Sequence, residues 1–256
     1  MNQTVLITGA SSGIGLEFAK LLAADHYNLI LVARRVKRLE ILAKELSAKY
    51  PISVTILSKD LSVPSAVIEI FKELQEKSLH IDILINNAGT QVYGRFYQTD
   101  PEQEWRLLQV NLVALTQLTK LAVVSMLERG SGKILNIGST GSFASAPFNA
   151  IYCATKAYVL HFSEGIAKDL QGSGITVTAL CPGATRSEFA EKANMLHTRM
   201  FQFMVMDAGM VAKAGYRALL KGKRVVVPGL YNKLLVSSIR FTPRWLVLKL
   251  GQFLMS

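Results

Sequence analysis

Short, nearly unbroken apolar runs alternate along the chain with longer stretches in which apolar residues recur every three or four positions. The first pattern reads as strands covered on both faces, the second as amphipathic helices. Strands are predicted over Thr4–Thr8, Asn28–Ala33, Ile52–Leu57, Ile81–Ile85, Lys133–Gly138 and Ile175–Leu180. Helical periodicity begins at once after Gly15 and again over Val36–Lys49, Pro64–Lys77 and Trp105–Glu128, and a further helix carries Tyr152. Beyond Arg224, Val225–Pro228 reads as a last strand, and Leu230–Arg240 and Arg244–Leu254 read as apolar, basic helices.

Strand and helix in strict alternation, without repeats or low-complexity linkers, predict an α/β fold: a doubly wound parallel sheet of the Rossmann type. At 256 residues the chain is long enough for one large core, so a single domain spanning 1–256 is expected, with 225–256 as a C-terminal extension. No uncharged apolar run approaches the roughly twenty residues of a membrane span. The N-terminus runs straight into a strand pattern without a basic flank, which argues against a signal peptide and for a cytoplasmic setting. Two cysteines in apolar surroundings, Cys153 and Cys181, read as buried thiols. The four histidines lack ligand spacing, so no metal is expected. The net charge of +11 is concentrated at one end: after Asp207 there are nine basic residues and no acidic one. Nothing in that pattern singles out nucleic acid as a partner.

The chemistry begins at Gly9-Ala10-Ser11-Ser12-Gly13-Ile14-Gly15, between a predicted strand and a predicted helix. Gly9 permits a tight turn, Gly13 lets the backbone approach a pyrophosphate, and Gly15 lets helix and strand pack closely. After the second strand comes Arg34-Arg35, then Lys37-Arg38, where a ribose-binding carboxylate would suit NAD. A guanidinium suits a phosphate dianion and no carboxylate is near in sequence, so NADP(H) is expected, with Arg34 as its main contact. Asp60 ends the third strand, where it can accept from an adenine amino group. Asn86-Asn87-Ala88-Gly89 ends the fourth, where small residues let backbone pass under a cofactor. Tyr152 and Lys156 stand four apart on one helix face, so the ammonium is expected to draw the phenol's pKa down from about 10. Ser139, at the end of the fifth predicted strand, supplies a hydroxyl.

Thr8-Gly9-x-x-x-Gly13-Ile14-Gly15, Asp60, Asn86-Asn87-Ala88-Gly89, Asn111, Ser139, Tyr152-x-x-x-Lys156 and Pro182-Gly183, in that order, resemble the short-chain dehydrogenase/reductase family from Thr4 to about Gly229. The resemblance implies an enzyme interconverting a ketone or aldehyde and an alcohol. It makes Tyr152 the general acid, Ser139 the group polarising the carbonyl, Lys156 the ligand of the nicotinamide ribose and Asn111 the anchor of a proton-relaying water. It further implies coenzyme contacts at Gly9, Ser11, Ser12, Gly13, Ile14, Gly15 and Arg34, then at Asp60, Leu61, Asn87, Ala88 and Gly89. Tyr152, Lys156, Pro182 and Gly183 complete that set, with Thr185 or Ser187 meeting the carboxamide. The segment between Arg186 and Gly209 holds four of the eight methionines together with Phe189, Phe201 and Phe203, which suits a bulky hydrophobic carbonyl compound. A 3-ketoacyl-thioester reductase of lipid synthesis is the alternative within the class. An NADP-sensing regulator without turnover is the alternative outside it, disfavoured by the intact Asn111, Ser139, Tyr152 and Lys156. A homodimer or homotetramer is expected, and the basic tail is expected to meet a partner subunit, extend the pocket or contact an anionic membrane surface.

Overall fold

A computed structural model describes residues 3–203 and 205–255. Seven parallel strands form one sheet in the order β3-β2-β1-β4-β5-β6-β7. They are β1 Thr4–Thr8, β2 Asn28–Ala33, β3 Val54–Ser58, β4 Ile83–Asn86, β5 Gly132–Ile137, β6 Ile175–Leu180 and β7 Val225–Val226. The helices are α1 Gly13–Ala24, α2 Val36–Lys49, α3 Ala66–Glu76, α4 Pro101–Leu108, α5 Leu115–Arg129, α6 Ala150–Asp169, α7 Glu188–Lys192, α8 Arg199–Phe203, α9 Ala208–Leu220, α10 Leu230–Ile239 and α11 Arg244–Met255.

Successive strand residues face opposite sides, and both sides are covered, which is why the strands read as unbroken apolar runs. Val5, Ile7, Leu29 and Leu31 pack with α1, α2 and α9 on one face. Leu6, Ile30, Leu84 and Ile134 pack with α3 and α5 on the other. All eight are essentially inaccessible to solvent, and each contributes roughly 1.5–3 kcal/mol of burial. Winding reverses between β1 and β4, so the chain diverges there and leaves a crevice beyond the carboxyl ends of the strands.

Several boundaries differ from the sequence expectation. Pairing of β3 begins at Val54 rather than Ile52, because Ile52 N bonds back to Tyr50 O and Asn28 Oδ1 takes Ser53 N at 2.9 Å. The expected helix over Trp105–Glu128 starts earlier, where Asp100 accepts from Glu102 N and Pro101 needs no partner at the first helical position. It is interrupted by a π-helical turn, Gln109–Ala114, and ends at Gly130 in the left-handed conformation. The run 101–129 has the length and hydropathy of a membrane-crossing segment, and 39% of its most apolar window is buried inside the fold. The last strand stops at Val226, before Pro228.

A polar ladder is buried under the crevice. Asn86 and Asn136 are register partners on β4 and β5. Asn86 Nδ2 donates to Asn136 Oδ1 and to Thr119 Oγ1, each at 2.9 Å, and Asn136 Nδ2 donates to Ser163 Oγ at 3.0 Å. Two strands and helices α5 and α6 are thereby fixed against each other just below the strand ends that carry the candidate site.

Candidate active site

Six of the candidate residues sit where a strand stops. Gly9 follows β1, Arg34 follows β2, Asp60 follows β3, Asn87 follows β4, Ser139 follows β5 and Pro182 follows β6. All six line one cleft of about 570 Å³. The glycine turn has the space its sequence promises. Gly9 and Gly13 have φ of 67° and 56°, conformations that only glycine adopts without strain. A Cβ on Gly15 would lie 2.4 Å from Asn87 Nδ2 and 2.5 Å from Gly9 O. Asn87 Nδ2 donates to Thr8 O at 2.9 Å, while Thr8 Oγ1 takes the backbone N–H of Asn87 and Ala88 at 3.0 and 2.9 Å. The turn after β1 and the turn after β4 are thus one bonded unit, which is how Asn87, Ala88 and Gly89 come to border the cleft beside Ser11, Ser12 and Ile14.

Next to Arg34, Arg35 is tied to the glycine turn, donating to Ser11 Oγ and, at 2.8 Å, to Ser12 Oγ. Carboxylates absent from the local sequence are close in space. Glu188, at the start of α7, takes Arg35 NH1 at 2.5 Å and also pairs with Arg38, while Arg34 NH1 lies 3.7 Å from Asp60. Asp60 itself accepts from the N–H and hydroxyl of Ser62. Partial burial pushes its carboxyl up, but those bonds and the Arg34 charge outweigh that and hold it below the usual range. Leu61 beside it is buried and lines the cleft.

Ser139, Tyr152 and Lys156 converge at the other end. The Lys156 ammonium lies 5.6 Å from the centre of the Tyr152 ring and donates to Ile137 O at 2.8 Å. The Tyr152 ring remains partly accessible from the cleft. Desolvation by the surrounding protein nevertheless pushes the phenol up rather than down, and the nearby Ser139 hydroxyl offsets this only in part. The same surroundings push Lys156 down to about 8. The expected lowering of the phenol is therefore not met: an apolar environment disfavours phenolate and ammonium alike. Asn111 lies within the π-helical turn. Its Oδ1 takes Thr90 N at 2.9 Å and its Nδ2 donates to Thr90 O and Thr155 Oγ1. The space a Cβ on Gly89 would fill lies 3.5 Å from Asn111 Oδ1 and 3.6 Å from Lys156 Nζ, so both groups look onto the same bare backbone.

Two supporting residues carry no signal in the local sequence. Ser142 takes the Ser139 N–H at 3.1 Å and donates to Lys156 O at 2.7 Å, joining the end of β5 to α6. Asn232 on α10 packs so tightly on Gly183 that a Cβ there would lie 2.5 Å from its Oδ1, and it donates to Pro228 O at 2.9 Å. Beyond Gly183, Thr185 Oγ1 turns back onto Gly183 O at 3.0 Å, and Ser187 Oγ reaches Thr185 O at 3.4 Å. Both line the cleft.

The remaining wall is apolar. Met195, Met200 and Phe201 face the cleft, joined by Leu235 and Ile239 of α10 and Leu254 of α11. The two C-terminal helices thus form part of the pocket, one of the three roles expected of them. Met204 lies outside the described residues. Cys153 and Cys181 are buried free thiols, and among the described residues no cluster of possible ligands could hold a metal ion.

The sequence matches the family model for short chain dehydrogenase over residues 3–196. It is 33% identical to a ketoacyl reductase, HetN, of Nostoc over 71% of this chain, and the match spans 63% of that relative's length. Among solved structures, a short-chain dehydrogenase from Sphingobium yanoikuyae in complex with NADPH is 36% identical, with a TM-score of 0.85 over 93% of this chain and 92% of that one. The bulky-bulky ketone specific alcohol dehydrogenase of Comamonas testosteroni is 34% identical, with a TM-score of 0.79 over 93% of both chains.

Proposed function

Because the chain belongs to the short chain dehydrogenase family, we propose that it interconverts a bulky, hydrophobic ketone or aldehyde and the corresponding alcohol, using NADP(H). The observation that carries this reading is a single cleft with Ser139, Tyr152 and Lys156 at one end and a wall of Met195, Met200, Phe201 and Leu254 facing them.

The residues present fit the coenzyme. The turn from Gly9 to Gly13, which lines the cleft at the N-terminus of α1, suits a pyrophosphate, and Gly15 behind it lets the helix pack against that turn. Arg34, Arg35 and the Ser11 and Ser12 hydroxyls suit a ribose phosphate. Asp60 and Leu61 border the adenine end, and Asn87, Ala88, Gly89, Pro182, Gly183 and Thr185 line the route toward Lys156. When bound, NADPH supplies the hydride that reduces the carbonyl carbon.

This chain's own groups supply the rest. The Tyr152 phenol, protonated at neutral pH in any case and pushed further up by desolvation, is in the form a proton donor to a developing alkoxide requires. Ser139 Oγ is held at the strand end by accepting from Gly141 N at 3.0 Å, which leaves its own proton for the substrate oxygen. Lys156, a short way from the ring, stabilises the phenolate as it forms, and Asn111 braces the loop at Thr90 that closes this corner. The exposed apolar side chains Trp105, Val113, Val124 and Leu127 of the helix over 101–129 support self-association.

A panel of bulky aryl and alicyclic ketones, small aldehydes and a 3-ketoacyl thioester, followed by NADPH oxidation, tests the substrate class. Turnover of the bulky ketones with a higher kcat/KM than the thioester supports the reading, and the reverse order replaces it with the thioester. Tyr152→Phe is expected to lower kcat by about a thousandfold with NADPH affinity within about threefold of wild type. Undiminished turnover removes Tyr152 from the chemistry.

A further inference from the structure

The pocket accounts for only the inner faces of α10 and α11. On the outer face of α10, Leu230 and Leu234 stand 74% and 63% exposed, one helical turn apart, and Phe241, just past its end, is 89% exposed. On α11, Trp245 is 66% exposed and Leu248, one turn on, is also exposed. Lys233, Arg240, Arg244 and Lys249 are exposed beside them. No carboxylate side chain occurs anywhere after Asp207. Arg240, Phe241, Arg244 and Trp245 fall within six residues at the junction of the two helices, so exposed apolar and cationic side chains stand next to each other there.

We propose that the outer faces of α10 and α11 form a docking surface for an anionic lipid bilayer, with Phe241 and Trp245 seated at the headgroup level. Large apolar side chains flanked by cations, on helices without acidic residues, are what the boundary between headgroups and acyl chains accommodates. Charge distinguishes this occupant from a second copy of the chain. A two-fold interface sets a patch against itself, so Arg240 and Arg244 would face cations, with no carboxylate on either helix to meet them. An anionic surface attracts each of those cations instead, favouring binding by about fivefold apiece. One corollary rests on the proposed reduction: the docked cleft opens toward lipid, where an apolar carbonyl compound dissolves. Vesicle binding itself does not depend on that reading.

The test is sedimentation of the full-length protein with vesicles of phosphatidylcholine alone or mixed with phosphatidylglycerol. In a Trp105→Phe background, Trp245 is the sole tryptophan and its emission reports insertion. The expected results are binding to the mixed vesicles but not the neutral ones, a blue shift of Trp245, and weakening by salt. Arg240→Gln with Arg244→Gln should lower partition by about 25-fold. Phe241→Ser with Trp245→Ser should abolish it while NADPH oxidation stays at the wild-type rate, which shows that the fold persists. Failure of the wild-type protein to bind phosphatidylglycerol vesicles at low salt overturns the proposal. So does a fall in oligomer mass on Phe241→Ser with Trp245→Ser, which would assign the face to contact between copies. Either result leaves the ketone panel unaffected.

Discussion

Lys156 is 4% exposed and its pKa is pushed from 10.5 down to about 8, chiefly by burial. That interval corresponds to about 3 kcal/mol of difference between holding the ammonium in the unfolded and in the folded chain. The sign is set by where the proton is held more tightly. Between pH 8 and 10.5 the unfolded chain binds it and the folded chain does not, so stability from this group rises with pH across that window. Above 10.5 the contribution is fully present; as pH falls it is lost progressively, and below about 8 the cost of burying the charge is in full force. Other groups oppose this trend. Cys153 and Cys181 are pushed up to about 11 and about 12 by burial, so the folded chain holds their protons where the unfolded chain releases them, and stability falls with rising pH. The wild-type profile therefore mixes both signs, and the difference from Lys156→Met isolates one of them.

Methionine keeps the length of the side chain without its charge. Removing the bond to Ile137 O adds a penalty that does not change with pH, so it shifts the whole difference without tilting it. The tilt is the prediction: relative to wild type, Lys156→Met loses about 2 kcal/mol of unfolding free energy between about pH 7 and about pH 9.5. Urea unfolding of both proteins without coenzyme, at constant ionic strength and monitored by far-UV circular dichroism, measures it. A difference that stays constant over that range refutes the reasoning, because it means that the folded protein holds the Lys156 proton as tightly as the unfolded chain. Bound NADPH, with its phosphate charges, should shrink the tilt by favouring the ammonium.

Glu188→Gln removes the carboxylate that Arg35 and Arg38 share and should tighten NADPH about threefold to tenfold while leaving NADH unchanged; equal effects on both coenzymes in a fluorescence titration would show that Glu188 does not compete with the ribose phosphate. Gly15→Ala forces a methyl to within 2.4 Å of Asn87 Nδ2 and is expected to weaken NADPH binding at least tenfold and to lower Tm, with an unchanged Tm and Kd counting against the packing of the two turns. Asn136→Ala strips Asn86 of one buried partner and Ser163 of its donor, and should destabilise the protein by about 2–4 kcal/mol in urea titrations. A loss below about 0.5 kcal/mol would mean that the ladder under the site is not structural.

The sheet was legible because its physics is local. A strand covered on both faces must be apolar at every position, and a helix on one face of the sheet must be apolar every third or fourth, so both patterns survive in a single sequence. Boundaries were less legible because they depend on partners far away. Ile52 is as β-prone as Val54, but the Asn28 side chain claims the N–H of Ser53, and register pairing begins at Val54. The break at Gln109–Ala114 was invisible for the same reason. Its apolar spacing continues the helix, while the bonds of Asn111 to Thr90 and Thr155, 21 and 44 positions away, exist only in the fold.

The site divides along the same line. Residues that need a special backbone or a fixed helical spacing, such as Gly9, Gly13, Tyr152 and Lys156, are written into contiguous sequence. Those that act by meeting another element are not. Glu188 lies 153 positions from Arg35, so the inference that no carboxylate opposes the basic cluster was a statement about sequence distance, and folding overturned it. The pKa of Tyr152 escapes the sequence for a different reason. An ammonium close by lowers a phenol in water, whereas the structure places both groups where desolvation is the larger effect. A protonated phenol beside a weakly held ammonium is a resting state suited to giving a proton, provided that something lowers the cost of the phenolate as it forms. In this cleft Lys156 and the Ser139 hydroxyl are the groups placed to do so, which is why the Lys156→Met and Tyr152→Phe variants probe one arrangement from its two ends.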